Sequence, residues 1–254
     1  MADTLPAVRW LDDRSGDGIR ERRFELVRGS RTVPGVLWTP VGAGPATPLV
    51  LLGHGASGHK GADYVIDLAK RLVGQGLAAA AIDGPVHGDR RLDGGENAQL
   101  AFLEFCQAWS SDPSMTDEMV GDWSGVLDGL VALDELRGGR VGWWGVSMGT
   151  IIGLPFVAAE PRIDAAVLGL MGLTGPTRDR IVEDAPRVEC PVLFLIQWDD
   201  ELFAREWALG LFDAIGSPDK RLHAHPGRHG DLPPEAFRSS ASFLVGRLAP
   251  GAPR

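Results

Sequence analysis

The sequence predicts an α/β fold, with a mostly parallel sheet of eight strands and helices on both faces. The main observation is that short apolar runs alternate with longer helical runs along the chain. Such alternation requires right-handed crossover connections, which place helices against both faces of a parallel sheet. The second observation is length, because 254 residues that are 44% hydrophobic can bury one full core. We therefore expect residues 1–254 to form a single domain.

The predicted elements begin with a β-hairpin, whose strands at 21–27 and 32–38 are joined by a Gly-containing turn. Six further short runs, rich in apolar residues, are typical of strands; they lie at 48–53, 77–83, 140–145, 163–170, 190–197 and 221–225. The last of them alternates in the manner of an edge strand. Helices are predicted between most of these strands, at 64–74, 119–136, 150–159 and 204–215.

The most informative motif is a Gly-x-Ser-x-Gly pentapeptide centred on Ser147, between the strand at 140–145 and the helix at 150–159. A sharp turn from strand to helix lifts a serine hydroxyl clear of its neighbours, and Gly145 and Gly149 leave room for that turn. The pentapeptide alone also arises by chance in a glycine-rich chain. The flanking strand and helix favour a nucleophile over a structural turn.

A serine nucleophile needs a general base and an acid that orients the base. The continuous apolar run at 190–197 is typical of a strand buried on both faces, and it leads into an acidic stretch. We expect the acid there, among Asp199, Asp200 and Glu201.

The base is expected among three histidines near the C-terminal end of the sheet. His223 and His225 lie on one strand, two residues apart, whereas His229 lies in the Pro-Gly-Arg-His-Gly loop that follows it. We favour His229, because a loop residue can reach the serine more easily than a strand residue can.

Two further stretches of the sequence resemble segments of a known family. The chain order of serine, acid and histidine is that of the α/β-hydrolase triad. The His-Gly segment at 51–60 resembles the oxyanion loop of that fold, and the Asp-x-x-x-His-Gly-x-Arg segment at 80–90 resembles its next strand and turn. Together these motifs resemble the dienelactone-hydrolase-like and acyl-peptidase-like serine hydrolases, from about residue 22 to the end. Dienelactone hydrolases proper carry cysteine where Ser147 stands, which favours ordinary esters.

The resemblance implies the remaining site residues. Asp200 begins the stretch that matches the family's Asp-x-x-Val after the seventh strand, so Asp200 is favoured as the acid. The oxyanion hole is expected to combine the backbone N–H groups of Ala56 and Met148. His54 and His87 lie in His-Gly turns without partners at metal-ligand spacing, so structural hydrogen bonding is favoured for both.

Two segments are longer than the minimal fold requires, and both are expected near the catalytic edge of the sheet. Residues 91–116 include an aromatic helical stretch with Phe102, Phe105 and Trp109, and residues 171–188 include a short polar helix. Each could form a small lid or a pocket wall. The alternative is that the aromatic side chains only pack a surface helix onto the sheet.

Composition excludes some partners. The net charge of −9, with no cluster of Lys and Arg, argues against nucleic acid. The first 20 residues lack the apolar core of a secretion signal, and no stretch is long and apolar enough to cross a bilayer. We therefore expect a cytoplasmic protein that does not enter the membrane, while the sequence indicates no oligomeric state.

The sequence as a whole favours a serine carboxylesterase that hydrolyses small carboxylic esters through an acyl-enzyme. No cofactor and no metal is expected to take part. A thioesterase, a lactonase, a peptidase and a carbon–carbon bond hydrolase remain open, because each can use the same triad. A binding protein without catalysis is the alternative of another class, since a fold does not imply a function.

Overall fold

The computed structural model describes residues 8–91 and 97–251, which form one sheet with helices on both faces. The strands are β1 (Val8–Gly16), β2 (Ile19–Arg28), β3 (Arg31–Pro40), β4 (Leu49–Gly53), β5 (Ala78–Ile82), β6 (Val141–Gly145), β7 (Ile163–Gly169), β8 (Val192–Gln197) and β9 (Lys220–His225). The α-helices are α1 (Asp63–Val73), α2 (Ala98–Ser111), α3 (Met115–Val131), α4 (Met148–Ala159), α5 (Arg178–Asp184), α6 (Arg205–Ala214) and α7 (Pro234–Leu248).

The strand order is β1-β2-β3-β5-β4-β6-β7-β8-β9. The first three strands are antiparallel to their neighbours, and β5, β4, β6, β7, β8 and β9 run parallel to one another. The structure thus confirms the α/β class and the mostly parallel sheet, with the predicted edge strand β9 at one end. The carboxyl ends of the parallel strands meet at one edge, where ligands bind in open α/β sheets.

The core lies in two layers, one on each face of the sheet. The alanines of β5 show the alternation, because Ala78 and Ala80 pack into one layer while Ala79 and Ala81 pack into the other. Helices α1 and α7 cover the second layer, and α3, α4 and α6 cover the first. Among the described residues, no helix is long and apolar enough to cross a membrane.

The sheet has nine strands where eight are predicted, and the extra one is β1. Among the described strands this one pairs with β2 alone, and most of its side chains are exposed. An edge strand with most of its side chains in solvent needs no apolar alternation. The polar sequence of β1 therefore carries no strand signal.

Helix α7 is not among the predicted helices. Its buried face contains Ser240 beside Ala236, Phe243 and Leu244, and the Ser240 hydroxyl donates to the Ala236 carbonyl, 2.7 Å away. A serine on the buried face interrupts the apolar period that would otherwise mark the helix. The predicted helix at 119–136 is shifted, since α3 spans Met115–Val131 and turns follow it.

Candidate active site

Ser147 lies between the end of β6 and the start of α4, and its backbone is strained. Its φ is 58° and its ψ is −122°, a conformation that side-chain-bearing residues rarely adopt and that clusters at functional sites. A Cβ on Gly145 would lie 2.6 Å from the carbonyl oxygen of Gly149, and a Cβ on Gly149 would collide with the carbonyl oxygen of Gly53. Both glycines of the pentapeptide are therefore needed for this turn.

The structure brings the three predicted triad side chains together. His229 Nε2 lies 2.9 Å from Ser147 Oγ, and His229 Nδ1 lies 2.8 Å from Asp200 Oδ2. Because an ionised carboxylate can only accept, Nδ1 carries the ring proton, and Nε2 is left to accept from the serine hydroxyl. Ser147 follows β6, Asp200 follows β8 and His229 follows β9, so all three lie at the carboxyl edge of the sheet.

Asp200 is fixed by hydrogen bonds at both carboxylate oxygens. Its Oδ1 accepts the backbone N–H groups of Leu202 at 2.8 Å and Phe203 at 3.0 Å, while Oδ2 faces His229. Burial raises the pKa of this carboxyl, but the hydrogen bonds from His229, Phe203 and Leu202 outweigh burial and hold the pKa below its usual value. Asp200 is therefore ionised at neutral pH and can stabilise an imidazolium.

The neighbouring acids contact the histidine loop through other atoms. The backbone N–H of Asp199 donates to the carbonyl of Gly227 at 3.0 Å, and its side chain is exposed. Glu201 Oε2 accepts the backbone N–H of His229 at 2.9 Å. Both ring nitrogens of His229 are already paired with Asp200 and Ser147, so neither Asp199 nor Glu201 orients the ring directly.

The loop that carries His229 is held at the end of β8 by a residue that was not predicted from the sequence. Gln197, the last residue of β8, is 2% exposed, and its Nε2 donates to the carbonyl of Arg228 at 3.1 Å. A polar residue that ends an otherwise apolar strand is the signal that could have identified it. The strand histidines lie elsewhere, since His225 Nδ1 faces Glu235 of α7 at 3.4 Å and His223 packs beside His225.

Ala56 and Met148, which carry the two predicted oxyanion amides, line the same cavity as Ser147. Met148 is the first residue of α4, where backbone N–H groups have no partner within the helix. Ala56 lies in the turn after β4 and lines the cavities next to Ser147. Within residues 8–91 and 97–251, neither amide donates a hydrogen bond to another protein group.

His54 fixes the peptide that carries the Ala56 N–H. Its Nε2 accepts the backbone N–H of Gly84 at 2.9 Å, so the ring proton is on Nδ1, which donates to the carbonyl of Gly55 at 2.8 Å. In a trans peptide the N–H points opposite to the C=O, so this bond orients the Ala56 N–H. Burial lowers the pKa of His54 well below its usual value, so the ring stays neutral in this tautomer.

Two more side chains hold the same loop. The backbone N–H of Gly55 donates to the hydroxyl of Tyr64 at 2.8 Å, and His87 Nε2 lies 2.8 Å from the carbonyl of Ala56. The structural hydrogen bonding predicted for His54 and His87 is thus present. Tyr64 was not predicted, because a single aromatic residue in an amphipathic helix carries no signal for a loop contact.

The Asp-x-x-x-His-Gly turn is tied to the oxyanion loop by a buried ion pair. Lys60 Nζ lies 2.6 Å from Asp83 Oδ2 and 2.6 Å from Asp89 Oδ2, and Asp83 also accepts the backbone N–H groups of Lys60 and Asp89. These contacts fix the turn after β5 against the loop after β4. In the described part of the chain, no three His, Cys, Asp or Glu side chains are grouped so that they could hold a metal.

Replacing His54 with alanine is expected to lower kcat by up to about 10²–10³-fold, the usual cost of losing one oxyanion donor. The Ala56 N–H would lose its fixed direction, while Ser147 and His229 would be untouched. Steady-state kinetics and thermal unfolding on the same samples would test this. His59→Ala is the control, because His59 lies in the same loop and its ring accepts a hydrogen bond from the backbone N–H of Gly61. An unchanged kcat in the His54 variant would contradict the assignment.

Two cavities meet at Ser147. One, of about 170 Å³, is bordered by His229 and by the rings of Tyr64, Trp144 and Phe237. The other, of about 240 Å³, is lined by four side chains of α2, which are Phe102, Phe105, Cys106 and Trp109, together with residues that include Thr174 and Gly175. The described parts of both predicted extra segments, 91–116 and 171–188, therefore contribute to a pocket wall, while 92–96 lie outside the described residues.

Known structures resemble most of the chain. A cold-adapted esterase from an Arctic intertidal metagenomic library is 41% identical, with a TM-score of 0.84, and the match covers 94% of this chain and 99% of that one. No protein-family model and no curated protein matches the chain. The chain belongs to the esterases of the α/β-hydrolase superfamily.

More distant structures share the fold of this esterase. An acetyl xylan esterase from a Paenibacillus species is 18% identical, with a TM-score of 0.73 over 95% of this chain and 88% of that one. A dienelactone hydrolase from Anabaena variabilis is 20% identical, with a TM-score of 0.68 over 91% of this chain and 99% of that one. At these identities the likeness concerns the fold, which agrees with the resemblance of the sequence motifs.

Proposed function

We propose that this esterase hydrolyses small carboxylic esters by acyl transfer to Ser147, with His229 as general base and Asp200 as the acid that orients it. The observation that supports this most is the continuous hydrogen-bonded chain from Asp200 through His229 to a serine on a strained elbow. The three side chains have the chain order and the pairing that the triad mechanism requires.

In the acylation step, His229 Nε2 removes the proton from Ser147 Oγ while the oxygen attacks the ester carbonyl carbon. The carbonyl oxygen becomes an oxyanion that accepts hydrogen bonds from the N–H groups of Ala56 and Met148. Asp200 stabilises the imidazolium, which then donates its proton to the alcohol oxygen as the carbon–oxygen bond breaks. The alcohol leaves, and the acyl group stays on Ser147 as an ester.

In the deacylation step, water takes the place of the alcohol. His229 removes a proton from the water, and the hydroxide oxygen attacks the acyl carbon of the Ser147 ester. A second oxyanion forms at the same two amides. His229 then returns the proton to Ser147 Oγ as the bond between this oxygen and the acyl carbon breaks. The carboxylic acid is released, and the serine hydroxyl is regenerated.

The ester activity and its alternatives can be separated with one substrate panel. We expect p-nitrophenyl acetate and butyrate to be hydrolysed, with lower kcat/KM for a matched thioester, a lactone and a p-nitroanilide. Ser147→Ala should lose all of these activities together, since they share the nucleophile. A preference for the thioester or the anilide would change the assigned substrate class, and no turnover of any substrate would favour the binding-protein alternative.

Activity is expected to fall reversibly in acid. Histidine is the side chain that ordinarily changes charge between pH 5 and 8, and a protonated ring cannot accept the proton of Ser147. Asp200, whose pKa is lowered, stays ionised through this range. We therefore expect kcat/KM to rise from about pH 5 to about pH 8 and to stay high in mild alkali. A profile flat down to about pH 5 would instead indicate a carboxylate base.

A further inference from the structure

The two cavities at Ser147 are bordered by different catalytic groups. Both are bordered by Ala56, Phe102 and Ser147, so the serine lies where they meet. Among the described residues, His229 borders the smaller cavity and Met148 borders the larger one. We name the smaller one the histidine-side cavity and the larger one the α2-side cavity.

Proton transfer decides which half of the ester enters which cavity. The leaving oxygen must receive its proton from His229 Nε2, so the alcohol half has to lie on the side that His229 borders. The carbonyl carbon is held at Ser147 by the two oxyanion amides, and the acyl chain extends from it away from the leaving oxygen. The acyl chain then points into the α2-side cavity.

The α2-side cavity is apolar and has an aromatic wall at the end formed by α2. The rings of Phe105 and Trp109 stack with centroids 6.0 Å apart, and Trp109 Nε1 donates to Thr177 Oγ1 at 2.9 Å. Gly175 packs directly against the Trp109 ring, where any Cβ would collide with it. Trp109 is thus fixed by contacts with Phe105, Gly175 and Thr177. A fixed ring in the cavity wall limits the length of the chain that the cavity accepts.

The histidine-side cavity shares three lining residues with a neighbouring groove. Tyr64, Leu232 and Phe237 border it and also border an adjoining groove of about 210 Å³ between α1 and α7. The far part of that groove is bordered by Asp67 and Arg71, whose side chains are exposed. The lining shared by the cavity and the groove is thus mostly apolar, and charged side chains border the groove alone.

We infer that this esterase divides its substrate between the two cavities: a compact apolar acyl group in the α2-side cavity and an extended alcohol, apolar near the ester and polar at its far end, in the histidine-side cavity and groove. This inference rests on the triad mechanism proposed above. It makes Cys106 and Trp109 determinants of acyl length, and Leu232 and Phe237 determinants of alcohol size.

Two substrate series measured on two matched variants test the division. One series varies the acyl chain from acetyl to decanoyl on a fixed p-nitrophenyl alcohol, and the other varies the alcohol of acetate esters, followed by pH-stat. Cys106→Trp should lower kcat/KM for octanoyl relative to acetyl by at least about tenfold and leave the order of the acetate series unchanged. Leu232→Trp should lower kcat/KM for bulky alcohols relative to methyl acetate and leave the acyl series unchanged.

The outcomes separate this inference from the proposed function. The division is wrong if Cys106→Trp changes the alcohol series and Leu232→Trp the acyl series, or if both variants change both series. In either case the enzyme remains an esterase. If Ser147→Ala hydrolyses esters as fast as the wild type, the proposed function itself fails. Should Cys106→Trp fail to fold, a crystal structure of wild-type enzyme labelled by a hexylphosphonate gives the answer, because the hexyl chain should lie against Phe105 and Trp109. A hexyl chain lying against Tyr64 and Phe237 would overturn the inference.

Discussion

Ser147→Ala is expected to lower kcat for ester hydrolysis by about 10⁴-fold or more, as removal of a covalent nucleophile usually does. The hydroxyl makes its hydrogen bond to His229 at the mouth of two cavities, so its loss should remove chemistry while leaving packing intact. The measurement is kcat on p-nitrophenyl butyrate together with thermal unfolding.

The matched control for this variant is Ser239→Ala. Ser239 lies in α7, where its hydroxyl donates to the carbonyl of Ala236, away from the triad. It should keep kcat within about threefold of the wild type, since a surface change away from the site usually has a small effect. If the Ser147 variant retains more than about a tenth of the wild-type kcat, Ser147 is not the nucleophile.

The second large effect is expected at Asp200. Asp200→Asn should lower kcat by roughly 10²–10⁴-fold, because an amide can hold the imidazole in the wrong tautomer. Asp199→Asn is a matched control one residue away, since Asp199 contacts the histidine loop through its backbone N–H, which the substitution keeps. Its kcat should fall by less than about tenfold, in line with an intact triad. A larger loss at Asp199 than at Asp200 would reverse the assignment of the acid.

The features that could be predicted from the sequence are those that have a recognisable local sequence pattern. Ser147 could be found because the elbow needs glycines at fixed positions, and both of these glycines face carbonyl oxygens that exclude a Cβ. The acidic stretch and the histidine loop were found because each directly follows a predicted strand, where chemistry collects in a parallel sheet. Asp200 was chosen over its neighbours from the family resemblance, and His229 because it lies in a loop. Their roles remain a proposal that the variants above would test.

What the sequence could not predict depends on contacts between distant segments. Tyr64 holds the oxyanion loop from α1, and Gln197 holds the histidine loop from β8, yet neither residue stands in a motif. Trp109 is fixed by Thr177, 68 residues away along the chain. Strand β1 pairs at an edge with most of its side chains exposed, so its sequence carries no apolar period.

The central claim is that Ser147 carries the acyl group, and labelling with a fluorophosphonate tests it most directly. Trypsin should release residues 141–162 as one peptide, in which Ser147 is the only serine. We expect one adduct per molecule on this peptide, formed in proportion to the loss of ester hydrolysis, and much slower labelling in His229→Ala. Complete inactivation with the adduct on another peptide, or with residues 141–162 unlabelled, would contradict the account.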